Sequence, residues 1–282
     1  MERGCRLSVA VPASLVSDVP HLREKSSKIG LIGRAAAIFK VDEIIVFPDL
    51  PSVDQSQSAS LISLILSYME TPQYLRKRLF KIRPELRYAG ILPPLRTPHH
   101  PLANRMKDLS VGEHREGVVV RSSRKGLLVD VGVERPILVP KAQLCVNERI
   151  TVRVVEVAGR GRAVPVRRSE VGEYWGYRVT VSGDSFGRLV KSGAFDLVIA
   201  TSRYGVPFVV VRDELAGRWK MADRILVAFG APAEGLREIV MREGVELDVV
   251  ADFVVNMIPD QGTETVRTEE AVFASLALFH CL

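Results

Sequence analysis

Two patterns of secondary structure alternate along this chain, and their order restricts its fold more than any single residue does. At both ends, short apolar strands are separated by helix-length segments. RLSVAV (6–11) is a strand broken by residues 12–17, residues 22–39 are helical, and EIIVF (43–47) is a buried strand ending at Pro48. An apolar helix follows at 59–69, and Thr71-Pro72 opens another that contains YLRKRLFKI. Past Ser169, strands at 177–181, 197–201, 225–229 and 249–256 alternate with helices at 185–191, 207–216, 234–241 and 268–279. Strand, helix, strand is what a parallel sheet requires, because each strand must be carried back to its starting edge by a crossover.

The middle of the chain follows a different pattern. EGVVVRS (116–122), GLLVDVG (126–132), PILVP (136–140) and RITVRVVEV (149–157) succeed one another across Gly, Asn and charged turns, with nothing helical between them. That spacing predicts a small antiparallel β-barrel, and its order resembles the OB-type barrels of ribosomal and RNA-processing proteins. A β-subdomain serving dimer contacts is the other use such a segment could have. The expected organisation is therefore one α/β domain with a parallel sheet, built from residues 1–80 and 170–282. A basic, proline-rich connector (81–108) and the barrel (109–169) are inserted into it.

Charge is segregated in the same way. Residues 1–71 hold seven basic and eight acidic side chains, residues 72–168 twenty-one and eight, and residues 169–282 eleven and seventeen. Those counts give −1, +13 and −6, so the net charge of +6 understates a strongly positive middle. A concentrated positive field steers and holds a polyanion, which makes RNA the expected partner. Arg76, Lys77, Arg78 and Lys81 before the connector, with Arg121, Arg124 and Lys125 in the barrel, are the expected RNA contacts.

Other classes are weakened by what is missing. No apolar run approaches the length of a membrane span, and MERGCRLSVAVP lacks the apolar core of a signal peptide, so a cytoplasmic protein without a membrane partner is expected. Cys5, Cys145 and Cys281 form no CxxC pair, and His99-His100 has no third ligand nearby, so no metal is expected. GxxxxGK[ST], GxGxxG and GxSxG are all absent, which disfavours nucleotide hydrolysis, dehydrogenation and a nucleophile elbow.

Three loops carry the chemistry that remains. ATSRYGVP (200–207), AFGAPAEGL (228–236) and NMIPDQGTETVRTEEA (256–271) each place small residues or glycine just beyond a buried strand, where backbone can approach a flat ligand. In open parallel sheets, ligands gather beyond the carboxyl ends of the strands. GRAAAIFKVDEIIV (33–46), the GxxxEGL loop at 230–236 and IPDQGTETVRTEEA together resemble the SPOUT superfamily of S-adenosylmethionine-dependent RNA methyltransferases. More narrowly, the chain is similar over nearly its whole length to an archaeal and eukaryotic RNA methyltransferase branch with an inserted OB-like barrel.

That resemblance implies a C-terminal trefoil knot, which periodicity could not reveal because ordinary chain topology disfavours it. It also implies a homodimer and a bent S-adenosylmethionine held by the three loops. Thr201 and Gly205 would serve in the first loop, and Phe229, Gly230, Ala231 and Gly235 in the second. Ile258, Pro259, Gln261, Gly262, Thr263 and Thr265 would serve in the third, together with Val266 and Thr268. Arg34, matching a motif arginine and read as lying at the start of a helix, and Arg267 are the expected catalytic side chains. The activity implied is RNA methylation, on ribosomal RNA, with base or ribose acceptor open. Against it stand a non-catalytic RNA-binding or ribosome-assembly factor of the same fold and a generic small-molecule binder.

Overall fold

The computed structural model describes residues 4–140 and 143–282. They gather into two compact units, one of residues 4–67, 85–94 and 177–282, the other of residues 68–84, 95–140 and 143–176. The chain opens with β1 (Arg6–Pro12), α1 (Leu22–Ile38), β2 (Glu43–Phe47), α2 (Ser56–Glu70) and α3 (Gln73–Leu79). Strands β3 (His114–Ser123), β4 (Gly126–Asp130), β5 (Ile137–Val139), β6 (Arg149–Glu156) and β7 (Arg162–Pro165) follow. The strand–helix alternation then resumes with β8 (Arg178–Val181), α4 (Phe186–Lys191), β9 (Leu197–Pro207), α5 (Phe208–Met221) and β10 (Arg224–Ala228). It closes with α6 (Leu236–Met241), α7 (Leu247–Val250), β11 (Phe253–Asn256) and α8 (Thr268–Phe279).

In the first unit, the described strands form a six-stranded sheet in the order β11-β9-β10-β1-β2-β8, every pairing parallel. Val9 sits between Val227 and Ile44 at its centre. Leu7, Val9, Ala10 and Val11 are all buried, as expected when helices cover both faces of a parallel sheet. Along one face Ala10, Phe47, Phe186, Val198, Leu226 and Leu236 join in a single apolar cluster. Phe39 and Phe273 meet edge-on at 6.5 Å, and the buried Lys28 of α1 lies 3.6 Å from Glu269 of α8.

Two expectations about these strands are corrected. The run at 249–256 is not strand throughout: Leu247–Val250 forms a helical turn, closed by the Ala251 amide on the Leu247 carbonyl, and β11 begins at Phe253. A continuous apolar run does not distinguish a buried turn of helix from a strand. The strand expected at 197–201 continues to Pro207 with a break in pairing. Ala200 faces Val254 but Val206 faces Val255, so residues 201–205 bulge away from β11.

In the second unit the five strands close into a barrel, β3-β4-β5-β7-β6. It is mixed rather than antiparallel, because β5 and β7 pair in parallel through Leu138 and Arg162. Sequence patterning missed β7: RAVP is too short to show alternation, and its strand character comes from pairing with β6. Val119, Val129, Val139, Val152 and Ala163 fill the interior. At the β3–β4 turn, Gly126 has φ +129°, and a Cβ there would lie 2.5 Å from the Val139 carbonyl oxygen, so only glycine fits.

The C-terminus of α2 ends in a buried polar cluster of this second unit. Glu70 accepts hydrogen bonds from Arg149 Nη1 (2.6 Å) and Arg168 Nη2 (2.9 Å), and both His99 and His100 donate through Nε2 to its main-chain carbonyl. Glu116 accepts from Arg149, Thr151 and Trp175. The paired histidines are thus a helix cap. Among the described residues, no group of three or more His, Cys, Asp or Glu could hold a metal ion, and no helix is long and apolar enough to cross a membrane.

Candidate functional site

Because the sheet is parallel, the bulge in the C-terminal half of β9 and the segments after β10 and β11 lie at one edge, and they are laced together there. Thr201 Oγ1 donates to the Ala228 carbonyl (2.9 Å), joining the first loop to the second. Asn256 Nδ2 donates to the Arg203 carbonyl (2.9 Å) and Arg203 Nη1 to the Glu264 carbonyl (3.1 Å), joining first to third. Thr268 Oγ1 donates to the Gly230 carbonyl (3.1 Å), joining third to second. The third loop is also braced from within: Gln261 Nε2 reaches the Thr263 and Glu264 carbonyls, and Thr263 Oγ1 the Thr265 carbonyl.

Between the loops lies a cavity of about 290 Å³, at the lower end of the range for small-molecule sites, roughly 300–1,000 Å³. Phe229, Met257, Ile258 and Val266 give it apolar walls, and Glu234 and Glu238 put carboxylates on its lining. The wall at Gly230 is tight backbone, since a Cβ there would meet the Glu234 carbonyl oxygen and Gly235 Cα at 3.0 Å. Ser275 lines the cavity too, and its buried hydroxyl has no hydrogen-bond partner among the described residues. An orphaned buried hydroxyl is uncommon, and here it has a cavity to serve. Flat apolar walls, backbone within reach, carboxylates for a cation and a waiting hydroxyl suit a nucleoside-like ligand that carries positive charge.

Thr201, Phe229, Gly230, Ala231 and Gly235 line this cavity, as do Ile258, Gln261, Thr265, Val266 and Thr268. Pro259, Gly262 and Thr263 belong to the third loop but not to the lining. Gly205 is outside the lining, and a Cβ there would lie 2.7 Å from the Val254 carbonyl oxygen, so its lack of a side chain lets β9 and β11 approach. The sequence reading missed Ser202, Arg203, Tyr204, Asn256 and Met257, residues 232–234, and Glu238, Ala271 and Ser275. A signal for the last two existed. Thr268, Ala271 and Ser275 fall at i, i+3 and i+7 of α8 and therefore share one face.

The expected catalytic arginines lie outside this wall. Arg34 is not at a helix start but in the last two turns of α1, with Nη1 donating to the Pro94 carbonyl (2.9 Å). Arg267 is exposed and precedes α8, where its amide donates to the Glu270 carboxylate (3.0 Å). Of the expected RNA contacts, Arg76 is engaged in its own unit: it donates to the Thr71 and Met69 carbonyls and lies 4.6 Å over the Tyr68 ring. Arg78 is loosely paired with Asp130 at 3.9 Å. Lys77, Lys81, Arg121, Arg124 and Lys125 are exposed, the last three on the β3–β4 hairpin.

A family model described as "Putative RNA methyltransferase" matches residues 6–279. An uncharacterised protein of Halobacterium salinarum is 37% identical over 290 residues, which cover 95% of this chain and 96% of its own. The 28S rRNA (uridine-N(3))-methyltransferase of Mus musculus is 34% identical over 305 residues, 98% of this chain and 76% of its own. The enzyme of the same name from Homo sapiens is also 34% identical over 305 residues, covering 98% and 78%.

Proposed function

This chain belongs to the RNA methyltransferase family whose model it matches over residues 6–279, and we propose that it methylates N3 of a uridine in ribosomal RNA, using S-adenosylmethionine. The observation that supports the donor is the laced three-loop cavity with its unpartnered Ser275 hydroxyl. When bound, S-adenosylmethionine supplies a methyl group on a sulfonium: the N3–carbon bond forms as the sulfur–carbon bond breaks, leaving a neutral thioether and one proton released to water.

In this reading the backbone around Gly230, Gly235 and Ile258 holds the adenosine part, with Thr201, Thr268 and Ser275 offering hydroxyls. Glu234 and Glu238 complement the donor's positive charge, and Phe229, Met257 and Val266 keep water out. Positioning two reactants in a dry site can account for much of the rate. Arg34 and Arg267 are assigned to the RNA backbone rather than to the donor. The RNA surface comprises Lys77, Arg78, Lys81, Arg121, Arg124 and Lys125.

The finer placement in the SPOUT superfamily, with a knotted C-terminal segment, belongs to the same proposal, as does a homodimer. What supports the dimer is an apolar face on α5, where Val209 and Val210 are 72% and 71% exposed. A second copy of the chain would cover it.

The test is mass-spectrometric mapping of ribosomal RNA from cells with and without the gene, joined to methyl transfer by purified protein to the unmodified RNA. One N3-methyluridine lost with the gene and restored in vitro is expected. A methyl group on a ribose or another base would overturn the acceptor, and no binding of S-adenosylmethionine at millimolar concentration would overturn the donor.

A further inference from the structure

Arg203 and Tyr204 also sit in the cavity lining, and the proposed function assigns them no part in holding the donor. Both belong to the bulge at 201–205, where the pairing of β9 with β11 breaks and whose main chain is pinned. The Arg203 carbonyl accepts from Asn256, and the Tyr204 amide donates to Ser202 Oγ at 3.2 Å. The Arg203 guanidinium lies 4.7 Å over the centre of the Tyr204 ring and is anchored by Nη1 on the third loop. Tyr204 is nonetheless 68% exposed, which is high for a large aromatic. A guanidinium covers one face of a ring, so the other is open for a planar partner.

The chemistry of a uridine N3 acceptor calls for such a pair. The N3 lone pair is delocalised between two carbonyls, so N3 becomes nucleophilic only after its proton passes to water. The charge that remains is spread over O2 and O4. The ionisable side chains sharing the wall with Arg203 are Tyr204, Glu234 and Glu238, and Glu234 is paired with Arg242. Of the charged residues of the third loop, Asp260, Glu264, Arg267 and Glu270 are exposed, and Glu269 is buried 3.6 Å from Lys28. Carboxylates in the cavity favour a cationic donor and oppose an anionic base, which leaves Arg203 as the cation of the lining.

We propose, resting on the function proposed above, that Tyr204 stacks on the acceptor uridine and that Arg203 binds its O2 or O4 and stabilises the base once N3 is deprotonated. Stacking of an unpaired base on an exposed aromatic is how single-stranded RNA is ordinarily gripped. A guanidinium is a strong partner for charge that develops during reaction.

Arg203→Ala, Arg203→Lys and Tyr204→Ala are compared with wild type in three measurements. These are calorimetric affinity for S-adenosylmethionine, affinity for an RNA fragment carrying the mapped uridine without the donor, and single-turnover methylation from pH 6 to 10. For Arg203→Ala the expected result is donor affinity within about threefold and a rate down about 100-fold near neutrality. That rate should keep climbing with pH beyond the point where the wild-type rate levels off, and Arg203→Lys should recover part of the loss. Tyr204→Ala should weaken RNA binding roughly tenfold. A rate within threefold of wild type would overturn the assignment. So would a rate lost in step with donor affinity, which would make Arg203 a brace of the third loop, and an unchanged RNA affinity in Tyr204→Ala would remove the stacking role. A wild-type protein that places no methyl group on uridine N3 would instead sink the proposed function itself.

Discussion

Ser275 and Gly205 show how the residue type at one position can conceal its role. Ser275 looks like a small residue in an apolar helix, yet its hydroxyl is buried, unpartnered and part of the cavity lining. If it bonds the methyl donor, Ser275→Ala should weaken donor affinity up to about tenfold, the worth of one hydrogen bond, while leaving thermal stability unchanged or slightly raised. Calorimetry beside thermal denaturation reads both, and unchanged affinity would remove Ser275 from the site. Gly205 looks in the sequence like a ligand-facing glycine, but the Val254 carbonyl 2.7 Å from its would-be Cβ gives it a packing role. Gly205→Ala should cost about 1–3 kcal/mol in urea denaturation, the usual penalty of overpacking.

At the scale of elements, the end of α2 determines how the second unit responds to acid. Burial would raise the Glu70 pKa, but the bonds and charges of His99, Arg149 and Arg168 reverse that and hold it far below the usual carboxylate range. Burial likewise opposes ionisation of Glu116, and Arg149, Thr151 and Trp175 prevail over it, so its pKa is also lowered. Burial beside the His99 ring pushes His100 down to about 4. All three groups have depressed folded values, so each bound proton favours the unfolded chain. His100 begins to erode stability as pH falls below its ordinary value of 6.5, and the carboxylates add to the loss below 4.5. Urea midpoints followed by Trp175 fluorescence, in a Trp219→Phe background, should therefore fall from pH 7 to pH 5 and more steeply below. A flat profile to pH 4 would contradict this. Glu70→Ala should cost about 3–5 kcal/mol at pH 7, because it removes the buried carboxylate that Arg149 and Arg168 share.

For the whole molecule, the division of charge predicts a division of labour. Replacing Arg121, Arg124 and Lys125 together by Ala should lower RNA affinity. It should also reduce the slope of log affinity against log salt by about 2, since each lost phosphate contact on single strands is worth about 0.7. Donor affinity should not move, because those side chains lie in the unit that does not contain the cavity. Sedimentation should give the mass of two chains, and Val210→Asp on α5 should shift it toward one if that exposed face is the interface.

The amino-acid sequence by itself determined the alternation that makes a parallel sheet, the inserted barrel, the three glycine-bearing loops and the basic middle. Each of these is written in local periodicity, turn residues or charge. Ten of the expected cavity residues were legible for the same reason: they follow directly on buried strands or sit in the Pro/Gly-rich third loop. The tertiary structure alone decided that β7 closes the barrel in parallel, that pairing of β9 with β11 breaks at residues 201–205, and that Ser275 lines the cavity. It also decided that Arg76 donates to the Met69 and Thr71 carbonyls, and the paired histidines to the Glu70 carbonyl, at the end of α2. Those outcomes depend on which distant residues come within hydrogen-bonding reach, and separation along the chain carries no record of that distance.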